Sequence, residues 1–579
     1  MTRSRAFVLV VLSVLLVSGC ANIPEESSPH AVRDDKQQPQ ATIAEPDPGL
    51  DPYDLVREFI QKSGNPEAAA MYLTEDAKRT WDADAAPKII TDTFATLPVR
   101  DPTAGDLATP GDGVETVALQ VTLVGRLGSD HAFVPEIDNE QYNVLVEQQP
   151  NGTWRISHPP NTRFVPVTNF ETSYRAVTVY YFDPDLRVTV PDIRYVAAEP
   201  PSGLPSRVIN VLMSGPSDTM RRSVVSPLEG VKTRTNVVPD DSGTLTVDLT
   251  SVGDKSREQR EQIAAQIVLS LQTVTSNRLR ILADGADLVP GHRDWRLRDL
   301  PAYDAPTKPD SDLSGLVVAD GVVRSLGDGK RIDGPAGNGS YVVRSAAQSI
   351  DGEHLAAVVS TGAGPRLRVG EFGGDLQEVT GLEASAMTRP TWLVSRSKEV
   401  DPTEVWTVAD GEVVRVVWTG EKGWKAIQVS SSELTDFGAI TDLRLSRDGT
   451  RAAIVANGRV VVASVVRDEK GSASLRYPRQ LQPTHVQEAV GVAWYNQETL
   501  VVATNERSLP VLSVSVDGMK TEIFDRNNLQ LPIKAITAAP DRDVLVTDSG
   551  RVSKAPGAGQ LWRQHPHGQG PESIPFYPG

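Results

Sequence analysis

Cysteine is almost absent: Cys20 is the only one in 579 residues. A disulfide within the chain is excluded, and so is any thiolate-rich zinc site. The eight histidines are scattered and form no zinc-ligand spacing. Positive charge is in deficit, with 58 Lys and Arg against 75 Asp and Glu and a formal charge of −17. That balance argues against nucleic acid and against electrostatic attraction to anionic lipid. Long apolar runs are missing too. The run from Ala6 to Val17 is about 12 residues, where a helix crossing the hydrocarbon core needs about 20. No other stretch approaches a membrane span. What remains is ordinary for globular chains, 39% apolar and 23% charged, with a length that suggests three or four domains.

The few features at the start of the chain are ordered. Arg3 and Arg5 precede the apolar run, and the small pair Ser18-Gly19 precedes Cys20. This is the layout of a secretory signal peptide. "LLVSGC" resembles a bacterial lipobox, with Val17 in place of the more usual Leu. The resemblance implies cleavage after Gly19, a diacylglycerol thioether on Cys20 and N-acylation of its amine. Two or more chains at about 0.8 kcal/mol per methylene make a stable anchor. The alternative is an ordinary secretory signal in which the cysteine has no role. Residues 20–50, polar and carrying Pro24, Pro29, Pro39, Pro46 and Pro48, read as a disordered tether with a span of roughly 30 Å.

Three folded regions are expected after it. In 51–168, "PYDLVREFIQKS" places Leu55, Val56, Phe59 and Ile60 on one helical face, and "NPEAAAMYLTEDAKRTW" reads as a second helix opened by Pro66. Strands follow, with a hairpin turning at Asn151-Gly152. By order of elements this resembles an NTF2-like α+β domain. In 172–295 the order is a strand "AVTVYYFD", a helix "PSRVINVLMSGPS", two strands around a turn, the helix "SREQREQIAAQIVLSLQTV" and the strand "RLRILADG". Ile263, Ile267, Leu271 and Val274 mark one buried face. The order of elements, with "VLMSGPS" and "TVDLTS", resembles the GerMN domain. Asp240, Asp241 and Asp248 fit either a metal site or a turn followed by an exposed strand.

The last region, 313–579, is repetitive. "VADGVVRSL" at 318, "VADGEVVRV" at 408, "VANGRVVVA" at 455 and "TDSGRVSKA" at 547 each read as strand, tight turn and strand. Asp-Gly and Asn-Gly supply the positive φ that a two-residue hairpin needs. The steps from Asp320 to Asp410, Asn457 and Asp548 are 90, 47 and 91 residues, a period close to 46 with two members degraded. "VVSTGAGPRLRV" from Val358 and "VVATNERSLPVLSV" from Val501 fill the gaps. A Ser-x-Asp-Gly marker at Ser349 and Ser446, looser at Ala539, resembles that of TolB-type repeats; its Asp is expected to cap the turn into an inner strand. Such a period with about four strands per repeat signals an all-β propeller of about six blades, closed into a ring. The six tryptophans here, Trp392, Trp406, Trp418, Trp424, Trp494 and Trp562, are expected to pack between blades rather than stack a sugar.

Lipobox, tether, α+β domain, GerMN-like domain and propeller, in that order, resemble the LpqB family of actinobacterial lipoproteins along nearly the whole chain. The resemblance implies an accessory lipoprotein on the extracytoplasmic face of the cell membrane. Its implied partner is the extracytoplasmic domain of an MtrB-like sensor histidine kinase, whose response regulator governs division and cell-wall genes. Three readings of function stay open: adaptor of that kinase, binder of peptidoglycan or another cell-wall glycan, and hydrolase.

The sequence supplies little for the hydrolase. Ser395 and Lys398 match Ser-x-x-Lys, but no Ser-Asp-Asn or Lys-Thr-Gly partner exists. "DSDLSG" from Asp310 begins like a calcium loop, yet Gly321 stands where the bidentate glutamate belongs. "GDGKR" from Gly327 lacks the Ser or Thr that follows a phosphate-loop lysine. No catalytic residue, metal or cofactor is expected.

Overall fold

The computed structural model describes residues 43–579 except 100–112, 238, 241, 305–306, 394–403, 421–422 and 483–484. Cys20, nearly all of the expected tether, Asp241 and the Ser395–Lys398 motif lie outside the described residues.

The first helix, Pro52–Lys62, begins where its residues allow. Pro52 takes the first turn, where no N–H is needed, and the Asp51 carboxylate accepts the Tyr53 and Asp54 N–H groups at 2.9 and 2.8 Å. Leu55, Val56, Phe59 and Ile60 are buried, and they share a core with Val117, Leu119, Val144 and Ile156 of a seven-stranded sheet. The long strand Val114–Leu127 runs through that sheet between Lys88–Ile90 and Asn139–Gln148. The expected second helix is instead two, Pro66–Ala70 and Glu75–Thr80. Thr74 adopts an extended backbone to cap the latter through the Ala77 N–H, and Leu73 bridges to Ile156. A residue in that conformation cannot lie inside a continuous helix.

In the second domain the hairpin Tyr174–Phe182 and Thr189–Ala197 packs with the helices Leu204–Met213 and Arg257–Gln272. The parallel strands Leu245–Thr250 and Leu279–Ala283 are joined across the second helix. Ser256 and Gln259 form a capping box at its start. Ile263, Ile267 and Leu271 are fully buried and Val274 packs at the edge of the same core.

Among the described residues, the third region forms one three-stranded and five four-stranded antiparallel sheets. They are six blades. In each, the repeat read from sequence lies between the second and third strands: at Asp320-Gly321, 361–364, Asp410-Gly411, Asn457-Gly458, 504–511 and 547–552. Asp320, Asp410 and Asn457 have φ of 52°, 50° and 46°, with positive φ at the glycine that follows each. The member at Thr547 differs. Its loop is longer, and Asp548 closes it by accepting the Gly550 and Arg551 N–H groups, both at 2.8 Å.

The Ser-x-Asp-Gly turns leave the innermost strand rather than enter it. At Ser446 the Asp448 carboxylate accepts the Ser446 hydroxyl and the Thr450 N–H, and the Ser446 hydroxyl oxygen accepts the Arg451 N–H. The same bonds recur at Ser349–His354, and again at Ser515–Lys520 between a third and a fourth strand.

The ring is closed by the chain's last strand. Ile574–Phe576 pairs antiparallel with Leu316–Ala319 of the first blade and lies beside the innermost strands of the two neighbouring blades. Five of the six tryptophans are buried between strands or blades, whereas Trp418 is 44% exposed beside Trp424. Trp418 is therefore a correction to the packing expected of all six.

Closure yields a test. Phe576 is 2% exposed, and Phe576→Ala should cost about 3–5 kcal/mol of propeller stability. Truncation before Ser573 should go further and abolish a cooperative propeller transition, because two blade faces lose their cover. Calorimetry of both variants checks this; an unchanged transition in the truncated chain would mean that the blades are independent.

Candidate functional site

The strand Thr189–Ala197 carries Asp192, Arg194 and Tyr195 to a point where all three regions meet. Residues 46–579 form one compact unit, and polar contacts join the three regions at this point. Arg194 has no exposed surface and Asp192 is 5% exposed. The Arg194 guanidinium donates to Asp192 Oδ2 at 2.7 Å, to the Gly215 carbonyl at 3.1 Å and to the Asp130 carbonyl in a loop of the first domain. Asp130 in turn accepts the Asp218 N–H at 2.9 Å, and Asp192 accepts that of Ser217 at 2.9 Å.

The propeller approaches the same strand from the other side. Tyr195 donates its hydroxyl to Asp517 Oδ2 at 2.7 Å. Arg451, from the fourth blade, donates to the carbonyls of Pro191 and Gln497. Gln497 donates to the Thr189 carbonyl at 2.9 Å, and Ser464 to that of Thr219 at 2.6 Å. Arg479 reaches past the second domain to the Phe133 carbonyl of the first at 3.2 Å. Burial alone would raise the Asp192 pKa, but the charge and hydrogen bond of Arg194 outweigh it and hold the carboxyl below its usual value. Burial and the neighbouring Asp517 carboxylate push the Tyr195 phenol up, so it stays a donor.

This junction was not legible in the sequence. "TVPDIRYVA" alternates poorly, with Pro191, Asp192 and Arg194 interrupting any apolar period. Its polar residues are buried because their partners come from distant parts of the second domain and from the other two regions.

The other candidates are structural. Asp240 accepts the Ser242 and Thr244 N–H groups, both at 2.9 Å, and closes a turn. Asp248 accepts the Gly285 N–H and faces Arg234 at 3.4 Å. Among the described residues no three His, Cys, Asp or Glu side chains are placed to hold a metal ion. Asp310 closes its own turn, and Arg542 grips that segment through the carbonyls of Asp310 and Ser311. Asp328 of "GDGKR" pairs with Lys330 at 2.9 Å. In the first domain, Lys88 at 2.7 Å and the Tyr142 hydroxyl at 2.6 Å both donate to Glu140 beside a surface cavity. Burial would raise the Glu140 pKa, yet these two donors lower it. A carboxylate so occupied is not poised as a base near neutral pH.

Breaking the buried pair tests the junction. Arg194→Met should cost roughly 3–5 kcal/mol at neutral pH, because Asp192 is left buried without its counter-charge. In the wild type the lowered pKa of Asp192 stabilises the fold above the ordinary carboxylate value, about 3.9, and that contribution disappears as pH falls through the folded value. In the variant, burial is opposed only by the Ser217 N–H and the charge of Arg451, the two smallest of the lowering influences, so the pKa rises and protonation relieves the strain. The stability gap between the two proteins should therefore narrow from pH 7 to pH 4, as measured by urea titration; a gap independent of pH would show that Asp192 is not the charge at stake.

Comparison with known proteins agrees with this three-part layout. The family profile described as "Lipoprotein LpqB, N-terminal domain" matches residues 45–171, "Sporulation and spore germination" matches 178–289, and "Lipoprotein LpqB beta-propeller domain" matches 320–578. Lipoprotein LpqB of Mycolicibacterium smegmatis is 31% identical over 603 residues, covering 99% of both chains. Lipoprotein LpqB of Nocardia farcinica is 31% identical over 627 residues, covering 100% of this chain and 99% of its own. With both relatives covered from end to end and three successive profiles in the order found in the structure, the chain belongs to the LpqB family of lipoproteins.

Proposed function

We propose that the protein is a lipid-anchored accessory regulator on the extracytoplasmic face of the cell membrane. It acts on the extracytoplasmic domain of an MtrB-like sensor histidine kinase, and through that two-component system on the cell envelope and division. Among the described residues no helix is long and apolar enough to cross a membrane; in this reading the attachment is through acylated Cys20.

The observation that carries the reading is the three-domain junction. A head whose domains are locked by Arg194, Tyr195, Arg451 and Arg479 presents its surfaces in fixed relation. Preorganisation of that kind lowers the ordering cost of docking on another protein. Confinement of both partners to one membrane raises their effective concentration towards the millimolar range when the tether matches the span, so weak docking suffices. Catalysis has no part in this role.

One observation favours a second reading, binding of peptidoglycan or another envelope glycan: Trp418 offers an exposed indole, a surface on which a sugar ring stacks as readily as a protein side chain.

The two separate in a deletion strain. Wild-type protein should restore response-regulator phosphorylation, and its mature mass should show an acylated chain starting at Cys20. A Cys20→Ala chain exported through a non-lipoprotein signal should fail to restore phosphorylation at matched protein level. Full rescue by that unanchored form, with the protein co-sedimenting with insoluble cell wall, would favour the glycan reading and overturn the regulator.

A further inference from the structure

All six innermost strands, or the residues just after them, line a small cavity on the axis of the propeller. Ala347, Thr391, Leu445, Trp494, Thr537 and Phe576 come from one blade each. The charged side chains among the lining residues are three arginines, Arg389, Arg444 and Arg447.

Their partners do not balance them. Arg444 is paired with Asp442 at 2.8 Å, and that carboxylate also accepts the N–H groups of Leu443 and Val492. Arg447, 7% exposed, donates to the carbonyls of Trp494, Ala538 and Pro578 at 3.2, 3.3 and 3.2 Å. Arg389 donates to the Pro575 carbonyl at 3.1 Å. Among the described residues neither of the last two hydrogen-bonds a carboxylate. Among the described residues the three guanidiniums therefore face Asp442 alone, which leaves a positive charge in excess.

A buried cation without a counter-charge is costly, and carbonyl dipoles offset only part of that cost. Burial, and then the nearby charge of Arg444, lowers the pKa of Arg389 to about 9, and burial lowers that of Arg447 to about 10. Both remain charged at neutral pH. Space on the axis is about 30 Å³, enough for a small anion or a water or two and too little for a sugar or a peptide. Planar guanidiniums are matched best by a planar two-oxygen anion.

We propose that the propeller axis is a binding site for a small carboxylate anion, held between Arg389 and Arg447. Arg447 contacts three blades through its carbonyl acceptors, so an anion bound there draws together strands from opposite ends of the closed ring.

The test uses purified full-length lipoprotein in detergent, with sodium formate replacing sodium chloride at constant ionic strength. Formate should raise the propeller's Tm saturably, by about 5 °C at roughly a hundred times its Kd. Arg447→Gln and Arg389→Gln should each abolish the saturable part. Because either variant could fold poorly, line broadening of 13C-formate by the wild-type protein, reversed by excess acetate, provides a second readout. The absence of both broadening and a saturable shift would overturn the proposal. So would an equal response in well-folded variants.

Discussion

The structure depends on one buried charge pair placed where three domains touch. Arg194 and Asp192 pair inside the second domain, and a further bond of each leads outward: Arg194 to the Asp130 carbonyl, Asp192 to the Ser217 N–H that leads to the loop against the propeller. A buried pair contributes little net stability against an apolar replacement, but leaving one member unpaired is expensive. Its effect is therefore on specificity. Any arrangement of domains that pulled Asp130 away would leave a further guanidinium N–H, besides Nε, unsatisfied in a dry site, so the pair penalises alternative orientations more than it stabilises the observed one.

The turn Ser446–Arg451 shows how the propeller takes part. Its Asp and Ser close the turn on themselves, which fixes the two arginines it carries in opposite directions. Arg447 joins the lining of the axial cavity, and Arg451 bonds to the Pro191 carbonyl of the second domain. One six-residue turn thus ties the interior of the ring to the junction. A change in the occupancy of the axis has a short covalent route to the domain interface.

The hairpins at Asp320, Asp410 and Asn457 could be read from sequence because few residues tolerate positive φ, and each carries Asp or Asn followed by Gly. The loop at Asp548 was misread for the complementary reason. Asp closes loops of several lengths with its side chain, so a nearby Gly does not specify a two-residue turn. The break at Thr74 was hidden because alanines and acidic residues on both sides favour helix, while the cap is decided by the contact of Leu73 with the sheet. The strand Thr189–Ala197 and the arginines 389, 444 and 447 were out of reach for a stronger reason. Much of their environment is made by residues tens to hundreds of positions away, and no local period encodes it. Hydrophobic periodicity reports burial within an element; polar burial between elements leaves no such trace.

Ring closure sets the final constraint. Leu316 pairs with Phe576 across most of the propeller's length. The entropy of closing such a loop grows only with the logarithm of its length, so the equilibrium cost is modest, but the contact forms late and slowly. No disulfide is available to hold the ring meanwhile. Until Ile574–Phe576 docks, the first and last blades expose apolar faces, and the junction lacks a firm propeller surface to close against. The three carbonyls that Arg447 contacts, at Trp494, Ala538 and Pro578, belong to the segments that must come together in this step. A cation at the meeting point of the last-formed contacts, with a site beside it for a counter-ion, stabilises the closed ring without stabilising its precursors, and it thereby slows reopening more than it speeds closure.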